Sequence, residues 1–314
     1  MMKCYLIVAS SSIHHIYFQS EFIFDQIKRH TSLDKVEFIV TDDVNFEELE
    51  PFSIVFILGK SIRPRIRTDS IYLVLLNFSP IDFVEGISCD EVGAQKIAQE
   101  QAILMQKISN IDCLLDFGKW QSKKFKKKVS LISHFYSGTA EIKTNNHEIK
   151  YDVGFVGELT PRRVRIFEEL SDYGLKLSPF NGLEAEKIIS VSRIALNLRS
   201  YEMPNLEIPR ILAALANSVP LISETSHLNS EIDPQFFTNC TYEEIVQNIL
   251  AVDGNIKHFE QLAMKGYKWY KEIYLPAAET SWELLLNRIE KDAIDKFSNL
   301  YSDVFTSPKD GLHY

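Results

Sequence analysis

Residues 151–170 read YDVGFVGELTPRRVRIFEEL, and residues 189–224 read ISVSRIALNLRSYEMPNLEIPRILAALANSVPLISE. Both segments alternate short apolar runs with runs whose apolar residues recur at helical spacing. The short runs have the length of buried strands and lie at residues 153–157, 194–198 and 219–223. Strands that alternate with helices form parallel sheets, so the stretch predicts two successive strand–helix–strand crossovers.

Polar side chains follow each apolar run at the point where a strand would end. They are Glu158, Arg162 and Arg163 after the first run, Arg199, Tyr201 and Glu202 after the second, and Ser223, Glu224 and Thr225 after the third. Parallel sheets bind ligands at the carboxyl ends of their strands. We therefore expect a binding site where these side chains meet.

The whole chain predicts an α/β protein with two Rossmann-like domains. Its 314 residues, 45% hydrophobic and 25% charged, are enough for two cores. In the first part, strands are predicted at 4–9, 36–40, 54–58, 71–76 and 113–115, and helices at 18–27 and 93–108. The predicted units are an N-terminal domain at 1–145, a second domain at 146–275, and a last helix with a tail at 276–314. The polar segment 143–148 is the predicted linker.

Beyond residue 224 the pattern is helical. Thr241 and Glu244 have the spacing of a capping box. Two further helices are predicted at 256–274 and 277–297, separated by Pro276.

Composition and charge argue against several functions and locations. The net charge of −9 argues against a protein that coats nucleic acid. The four cysteines are widely spaced, so neither a zinc site nor a disulfide framework is indicated. The apolar part of the opening segment is too short for a signal sequence or a membrane span, and we expect a cytoplasmic location.

Common cofactor and metal motifs are missing. No G-x-G-x-x-G follows a predicted strand and no G-x-x-x-x-G-K-[ST] occurs, which removes the usual support for a dehydrogenase or a P-loop protein. Neither D-x-D nor H-E-x-x-H is present. We therefore expect no bound cofactor and no catalytic metal.

Two predicted helix starts carry charged pairs. Arg162 and Arg163 follow Pro161, where free N–H groups favour an anion and guanidinium groups add bidentate phosphate contacts. A diphosphate would fit there; the alternative is two solvated surface arginines. Glu207 and Arg210 open the next helix, where a carboxylate can accept sugar hydroxyls. The alternative there is a local ion pair worth a few tenths of a kcal/mol.

The series DVGFVGELTPRR, IALNLRSYE and LEIPRILAALANSVPLISE resembles the C-terminal half of GT-B-type glycosyltransferases, in particular a bacterial group. The resemblance covers residues 151–224, and the N-terminal half matches in architecture alone. It implies two Rossmann-like domains that face each other across a cleft. It also implies a nucleotide-sugar held by the C-terminal domain, no metal requirement, and a last helix that crosses back to the N-terminal domain.

The resemblance implies roles for individual residues. Gly157, Arg162 and Arg163 would face the donor phosphates, Asn197 and Tyr201 would line the donor pocket, and Glu207, Arg210 and Glu224 would hold the sugar-nucleotide. Glu207 is also a candidate catalytic residue. Two positions depart from the family pattern. Ala213 stands where many retaining relatives have Glu, so the ribose-binding role moves to Glu207 or is absent, and Ser218 replaces the usual Gly.

The N-terminal half offers candidates for acceptor chemistry. His14 and His15 lie in a predicted loop after the first strand, where inverting members of the fold often carry a base. A histidine without a chemical role, or a base such as Asp116, is the alternative. The basic run KKFKKK from Lys123 to Lys128 is either a contact with anionic lipid at the inner membrane face or a solvated loop.

We predict a metal-independent glycosyltransferase that moves a hexose-type sugar from a nucleotide-sugar to a hydroxyl group of a glycan or lipid-linked acceptor, in polysaccharide or glycan biosynthesis. One alternative is a sugar-nucleotide epimerase of the same fold. The other is a catalytically inactive binding module, for which Ala213 is the argument. The sugar, the nucleotide and the stereochemistry are left open.

Overall fold

The computed structural model describes residues 2–33, 35–59, 62, 69–77, 91–116, 131–139, 149–180, 185–200, 208–225 and 232–306. The strands are β1 (Lys3–Val8), β2 (Lys35–Val40), β3 (Ser53–Leu58), β4 (Ile71–Asn77), β5 (Cys113–Asp116), β6 (Leu131–His134), β7 (Tyr151–Gly154), β8 (Ser192–Asn197), β9 (Leu221–Glu224) and β10 (Thr238–Cys240). The helices are α1 (Ile13–His30), α2 (Glu91–Ile108), α3 (Pro161–Asp172), α4 (Ala185–Ser190), α5 (Ile208–Ala216), α6 (Ile245–Leu250), α7 (Val252–Trp269) and α8 (Leu275–Thr306).

The first sheet contains β1 to β6 in the order β2-β1-β3-β4-β5-β6, and all of its pairings are parallel. β3 is buried along its whole length, as expected for a central strand covered on both faces. Side chains from its two faces enter two separate apolar clusters. The predicted α/β class with parallel sheets is confirmed here.

The second sheet has the order β10-β9-β8-β7 and is also parallel. Leu177 forms a parallel bridge with Val153 on the outer side of β7. The first five strands of the first sheet therefore lie in the order second, first, third, fourth, fifth. The second sheet has the same order when the segment at Leu177 is counted as its second member. This order places a topological switch point between β1 and β3 in the first sheet, and between β7 and β8 in the second.

α8 packs against the first sheet although it follows the second in sequence. Its inward side chains share a cluster with β1, β3 and α1; they are Trp282, Leu285, Leu286, Ile289, Ala293 and Phe297. Lys296 adds a polar anchor, because its Nζ lies 3.0 Å from Oδ2 of Asp112 and 2.6 Å from the main-chain oxygen of Ile71. Within the described residues, no helix has both the length and the apolarity of a membrane span.

Three local predictions are wrong or incomplete. His14 and His15 were expected in a loop, but α1 begins at Ile13, directly after Ser12, and places them in its first turn. Pro276 does not separate two helices, because a π-helical turn at Tyr270–Tyr274 leads from α7 directly into α8. A widened turn changes the hydrogen-bond pattern just before Pro276, where the missing N–H would otherwise break the helix. Three short elements, α4, β6 and β10, were not predicted.

Candidate functional site

A buried arginine ties together the loops that follow β7 and β8. Arg163 lies in the first turn of α3 and is 2% exposed. Its Nε and Nη2 atoms donate to the main-chain oxygen of Leu198 at 3.0 and 2.7 Å, and its Nη1 donates to that of Glu158 at 2.7 Å. The guanidinium also lies over the ring of Phe155, 4.9 Å from its centroid. Arg163 therefore fixes both loops at the switch point of the second sheet.

Glu224 ends β9 with a fully buried side chain held between two arginines. Arg162 binds it at two points: Nη1 is 2.7 Å from Oε2, and Nη2 donates to Oε1. Arg199 donates from Nη2 to Oε1 and from its main-chain N–H to Oε2 at 3.0 Å. Burial favours the neutral acid, but the hydrogen bonds from Arg162 and Arg199 outweigh it and lower the pKa of Glu224. The resulting carboxylate orients both guanidinium groups.

Tyr242 covers Arg162 from the β10 side of the sheet. It lies in a short 3-10 turn after β10, and the Arg162 guanidinium is 3.9 Å from its ring centroid. Its hydroxyl donates to the main-chain oxygen of Arg162 at 2.6 Å. The side chain of Arg162 nevertheless keeps 15% of its surface exposed. Arg162 is therefore held in one orientation while part of it still faces solvent.

Arg210 brings another guanidinium group to the same loops. It lies in the first turn of α5 and donates from Nη1 to the main-chain oxygen of Leu198 at 3.0 Å. Its guanidinium lies over Phe155, 4.7 Å from the ring centroid. We name the set Arg162, Arg163, Arg199, Arg210 and Glu224 the arginine cluster. It holds four guanidinium groups and one buried carboxylate, and the excess of positive charge suits an anionic ligand.

Gly157 and Asn197 complete the predicted donor-site residues that the structure describes. Gly157 has a φ of +151°, and a Cβ there would lie 3.2 Å from the ring of Phe155 and 3.3 Å from Arg163, so this turn favours glycine. Asn197 is fully buried and donates from Nδ2 to the hydroxyl of Ser223 at 3.0 Å. Within the described part of the chain its Oδ1 has no hydrogen-bond partner. Gly157 precedes Arg162 by five residues in sequence, and Asn197 precedes Arg199 by two.

The structure brings together only part of the predicted site. Arg162, Arg163, Arg210 and Glu224 belong to one cluster, but Arg163 faces main-chain oxygens and Glu224 faces arginines. Direct contact of these two with a donor stays a prediction. Tyr201, Glu207 and the run from Lys123 to Lys128 lie outside the described residues. The same holds for the side chains of His14 and His15, whose main chain begins α1.

Sequence reasoning assigned no individual role to two members of this site. Arg199 was recognised only as one of the polar residues after a strand. Its position directly after Leu198, the last residue of the predicted strand, places it at the sheet edge where parallel sheets bind ligands, and this signal was usable. Tyr242 gave no signal, because it lies 80 residues from the arginine that it covers.

The corresponding edge of the first sheet is polar and closely packed. After β1, Ser11 donates from its hydroxyl and its N–H to Asp42, at 2.9 and 3.1 Å. Gly59, after β3, has a φ of +123°, and a Cβ there would lie 2.3 Å from Cβ of Ala9. Asp116 ends β5 fully buried and accepts a hydrogen bond from Asn77 at 2.9 Å. Glycine at 59 therefore lets the β1 and β3 loops meet at this switch point.

Among the residues that the structure describes, no three His, Cys, Asp or Glu side chains form a group that could hold a metal ion. The expected metal independence stays a prediction.

Solved structures of GT-B glycosyltransferases are similar to this chain. HepE from Anabaena, solved in complex with UDP and glucose, has a TM-score of 0.57 at 10% identity and covers 95% of this chain and 100% of its own. Sucrose-phosphate synthase from Thermosynechococcus elongatus has a TM-score of 0.50 at 10% identity, with coverages of 96% and 100%.

TarM from S. aureus, solved with UDP among its ligands, has a TM-score of 0.53 at 13% identity. The match covers 74% of this chain and 55% of TarM, so the chain spans about half the length of that protein. No protein-family model matches the sequence. No curated protein matches it either. The comparisons therefore show the fold: the chain has the two Rossmann-like domains of GT-B glycosyltransferases, as predicted.

Proposed function

We propose that this protein is a glycosyltransferase that moves a sugar from a nucleoside diphosphate sugar to a hydroxyl group of an acceptor. The observation that carries the proposal is the placement of Arg162, Arg199 and Arg210 where β7, β8 and β9 end. α3 and α5 begin at the same place, and helix starts add free N–H groups. Guanidinium groups at such an edge favour a diphosphate.

The arginine cluster suits the chemistry of sugar transfer. When the bond between the anomeric carbon and the diphosphate breaks, negative charge develops on the departing diphosphate. Arg162 is fixed by Glu224 and Tyr242, and Arg210 by Leu198 and Phe155, before any ligand arrives. Donors that are already oriented stabilise such charge without reorganisation during the reaction. Arg163 contributes indirectly, by holding the two loops together.

The similar structures suggest which donor to test first. HepE was solved with UDP-glucose and with UDP, and TarM with UDP. We extend this to the present chain and propose a uridine diphosphate sugar of the hexose type as donor.

The remaining parts of the proposal concern metal, base and acceptor. The arginines supply positive charge at the leaving group, so the reaction needs no divalent cation. His14, His15 and Asp116 lie on the first sheet's side and are the proposed sources of a base toward the acceptor hydroxyl. The proposed acceptor is a glycan or a lipid-linked glycan, and the run from Lys123 to Lys128 is a proposed contact with anionic lipid at the cytoplasmic membrane face.

An acceptor-dependent turnover assay tests the proposal. The protein is incubated with UDP-glucose and a panel of aryl glycoside acceptors, and free UDP is measured with and without acceptor. We expect acceptor-dependent UDP release that falls by about 10²-fold in Arg199→Ala. Arg193→Ala is the matched control, because Arg193 lies in β8 of the same sheet but pairs with Asp253 and not with Glu224. Isomerised UDP-sugar without acceptor would favour the epimerase, and UDP-sugar binding without turnover would favour the inactive module.

A further inference from the structure

A buried glutamate joins the two halves of the chain. Glu186 lies in the first turn of α4 and is 2% exposed. Its Oε1 accepts hydrogen bonds from the hydroxyl of Thr139 at 3.0 Å and from Nε2 of Gln19 at 3.4 Å. Thr139 follows β6, and Gln19 belongs to α1, so both donors come from the part of the chain that builds the first sheet. Glu186 belongs to the part that builds the second sheet.

Thr139 is itself part of a fixed connection. Its main-chain oxygen accepts from the hydroxyl of Tyr270 at 2.8 Å, and its N–H donates to the same hydroxyl at 3.1 Å. Tyr274 donates to the main-chain oxygen of Ser137, and Trp282 to that of Tyr136, both at 2.8 Å. The segment 135–139 is therefore held by the π-helical turn and the start of α8. Glu186 adds α4 and α1 to this connection.

The surroundings of the Glu186 carboxyl favour the neutral acid. Both donors to Oε1, the hydroxyl of Thr139 and the amide of Gln19, are themselves uncharged. Oε2 is also buried, and no described residue bonds it. Ionisation would leave negative charge on this oxygen in a buried place, which is costly.

The charged surroundings point the same way. Burial raises the pKa of Glu186 to about 7, and the negative charge of Glu21 on α1 adds to the rise, against the hydrogen bonds from Thr139 and Gln19. The segment 135–139 contains no Asp, Glu, Lys, Arg or His. On α4 the neighbouring charge is Lys187, and on α5 it is Arg210, which is engaged with Leu198.

We propose that Glu186 is a positioning residue that joins the two halves of the protein as a neutral acid and loosens their contact when it ionises. Between pH 4.5, the ordinary pKa of a glutamate, and about pH 7, the pKa of Glu186 in the folded protein, the folded protein then binds one more proton than the unfolded protein. Stability contributed by the neutral group is complete below pH 4.5 and is lost as the pH rises through about 7. The effect on sugar transfer rests on the proposed function, whereas the effect on stability does not.

Thermal unfolding from pH 5 to pH 8.5 tests the proposal, with wild type, Glu186→Gln and the exposed control Glu169→Gln. Gln keeps the size and the accepting oxygen of the neutral acid but cannot ionise. We expect the Tm of wild type to fall relative to Glu186→Gln as the pH rises from 5 to about 7, and the difference to level off at higher pH. Glu169→Gln should follow wild type. Parallel curves for wild type and Glu186→Gln would overturn the proposal.

A second measurement needs no folded variant. In wild-type protein labelled with carbon-13 at the glutamate side-chain carboxyls, one NMR resonance should titrate near pH 7. If every carboxyl titrates below pH 5.5, the proposal is wrong. An activity readout separates the two proposals: the ratio of wild-type to Glu186→Gln kcat should fall between pH 6 and 8. A pH-dependent Tm difference in a protein that transfers no sugar from any nucleoside diphosphate sugar would support the role of Glu186 and contradict the proposed function.

Discussion

The guanidinium group of Arg162, at the start of α3, and the carboxylate of Glu224, at the end of β9, form a two-point ion pair with an Nη1–Oε2 distance of 2.7 Å. The residues are 62 positions apart, and Arg199 binds the same carboxylate. Arg162, Arg199 and Glu224 therefore connect the chain segments at the ends of β7, β8 and β9. The Glu224 carboxylate also orients the guanidinium groups of Arg162 and Arg199.

Replacing Glu224 by Gln should destabilise the protein and weaken UDP binding. A Gln amide would turn N–H groups toward a guanidinium and leave two arginines without their counter-ion. Breaking such a pair costs about 3 kcal/mol or more in buried settings. Urea unfolding at pH 7 measures this loss, with Glu169→Gln as an exposed control.

The same substitution has a pH signature. Because the pKa of Glu224 lies below its ordinary value of 4.5, its stabilising effect is present above that value and is lost as the pH falls through the lower, folded value. The stability gap between wild type and Glu224→Gln should be constant from pH 7 to pH 5 and shrink below pH 4.5. A gap that stays constant down to pH 3 would contradict this view of the ion pair.

Tyr242 should act on Arg162 through both its ring and its hydroxyl. Tyr242→Phe keeps the stacked ring and removes the hydrogen bond to the main chain, which should cost about 1 kcal/mol of stability. Tyr242→Ala also removes the cation–π contact and should weaken UDP binding further. Calorimetric titration with UDP compares the two variants. Equal UDP affinity in wild type and Tyr242→Ala would mean that the position of Arg162 does not matter for the ligand.

Much of the fold was predictable because its strands are buried on both faces. β1, β3 and β4 each contain an unbroken run of at least five apolar residues, and local spacing finds such runs. β6 and β10 were missed because they are only four and three residues long and include polar residues. Such short segments show no hydrophobic periodicity that identifies a strand.

The site was predictable to the extent that loops after parallel strands are adjacent in space. The partners of Arg162 were not predictable, since Glu224 and Tyr242 are 62 and 80 residues away. No local pattern distinguishes an arginine that faces a ligand from one that faces main-chain oxygens, as Arg163 does.

Arg210→Ala and Glu207→Ala should each lower the kcat/KM for the donor by about 10²-fold, the size expected when a charged contact made in the transition state is lost. Arg210 also bridges Leu198 and Phe155, so its loss displaces the loop after β8. Initial rates at varied donor concentration measure both effects, with Arg193→Ala as control. Wild-type kcat/KM in folded samples of both variants would place the donor elsewhere.

Turnover should survive an excess of chelator. If the diphosphate departs at the arginine cluster, as proposed, four guanidinium groups and one carboxylate already supply excess positive charge there, and a divalent cation is not needed for charge stabilisation. Rates measured in EDTA, and again after Mg²⁺ or Mn²⁺ is added in excess, should agree within error. Loss of activity in EDTA that either cation restores would overturn this prediction.

The most direct test of the central claim is calorimetric titration of the wild-type protein with UDP and UMP in the presence of EDTA, beside Arg199→Ala and the control Arg193→Ala. If the arginine cluster holds a diphosphate, UDP binds wild type and Arg193→Ala at least tenfold more tightly than UMP does, because the second phosphate adds charge-assisted hydrogen bonds. Arg199→Ala should lose most of that difference. Equal binding of UDP and UMP to wild type, or an undiminished preference for UDP in Arg199→Ala, would contradict the claim.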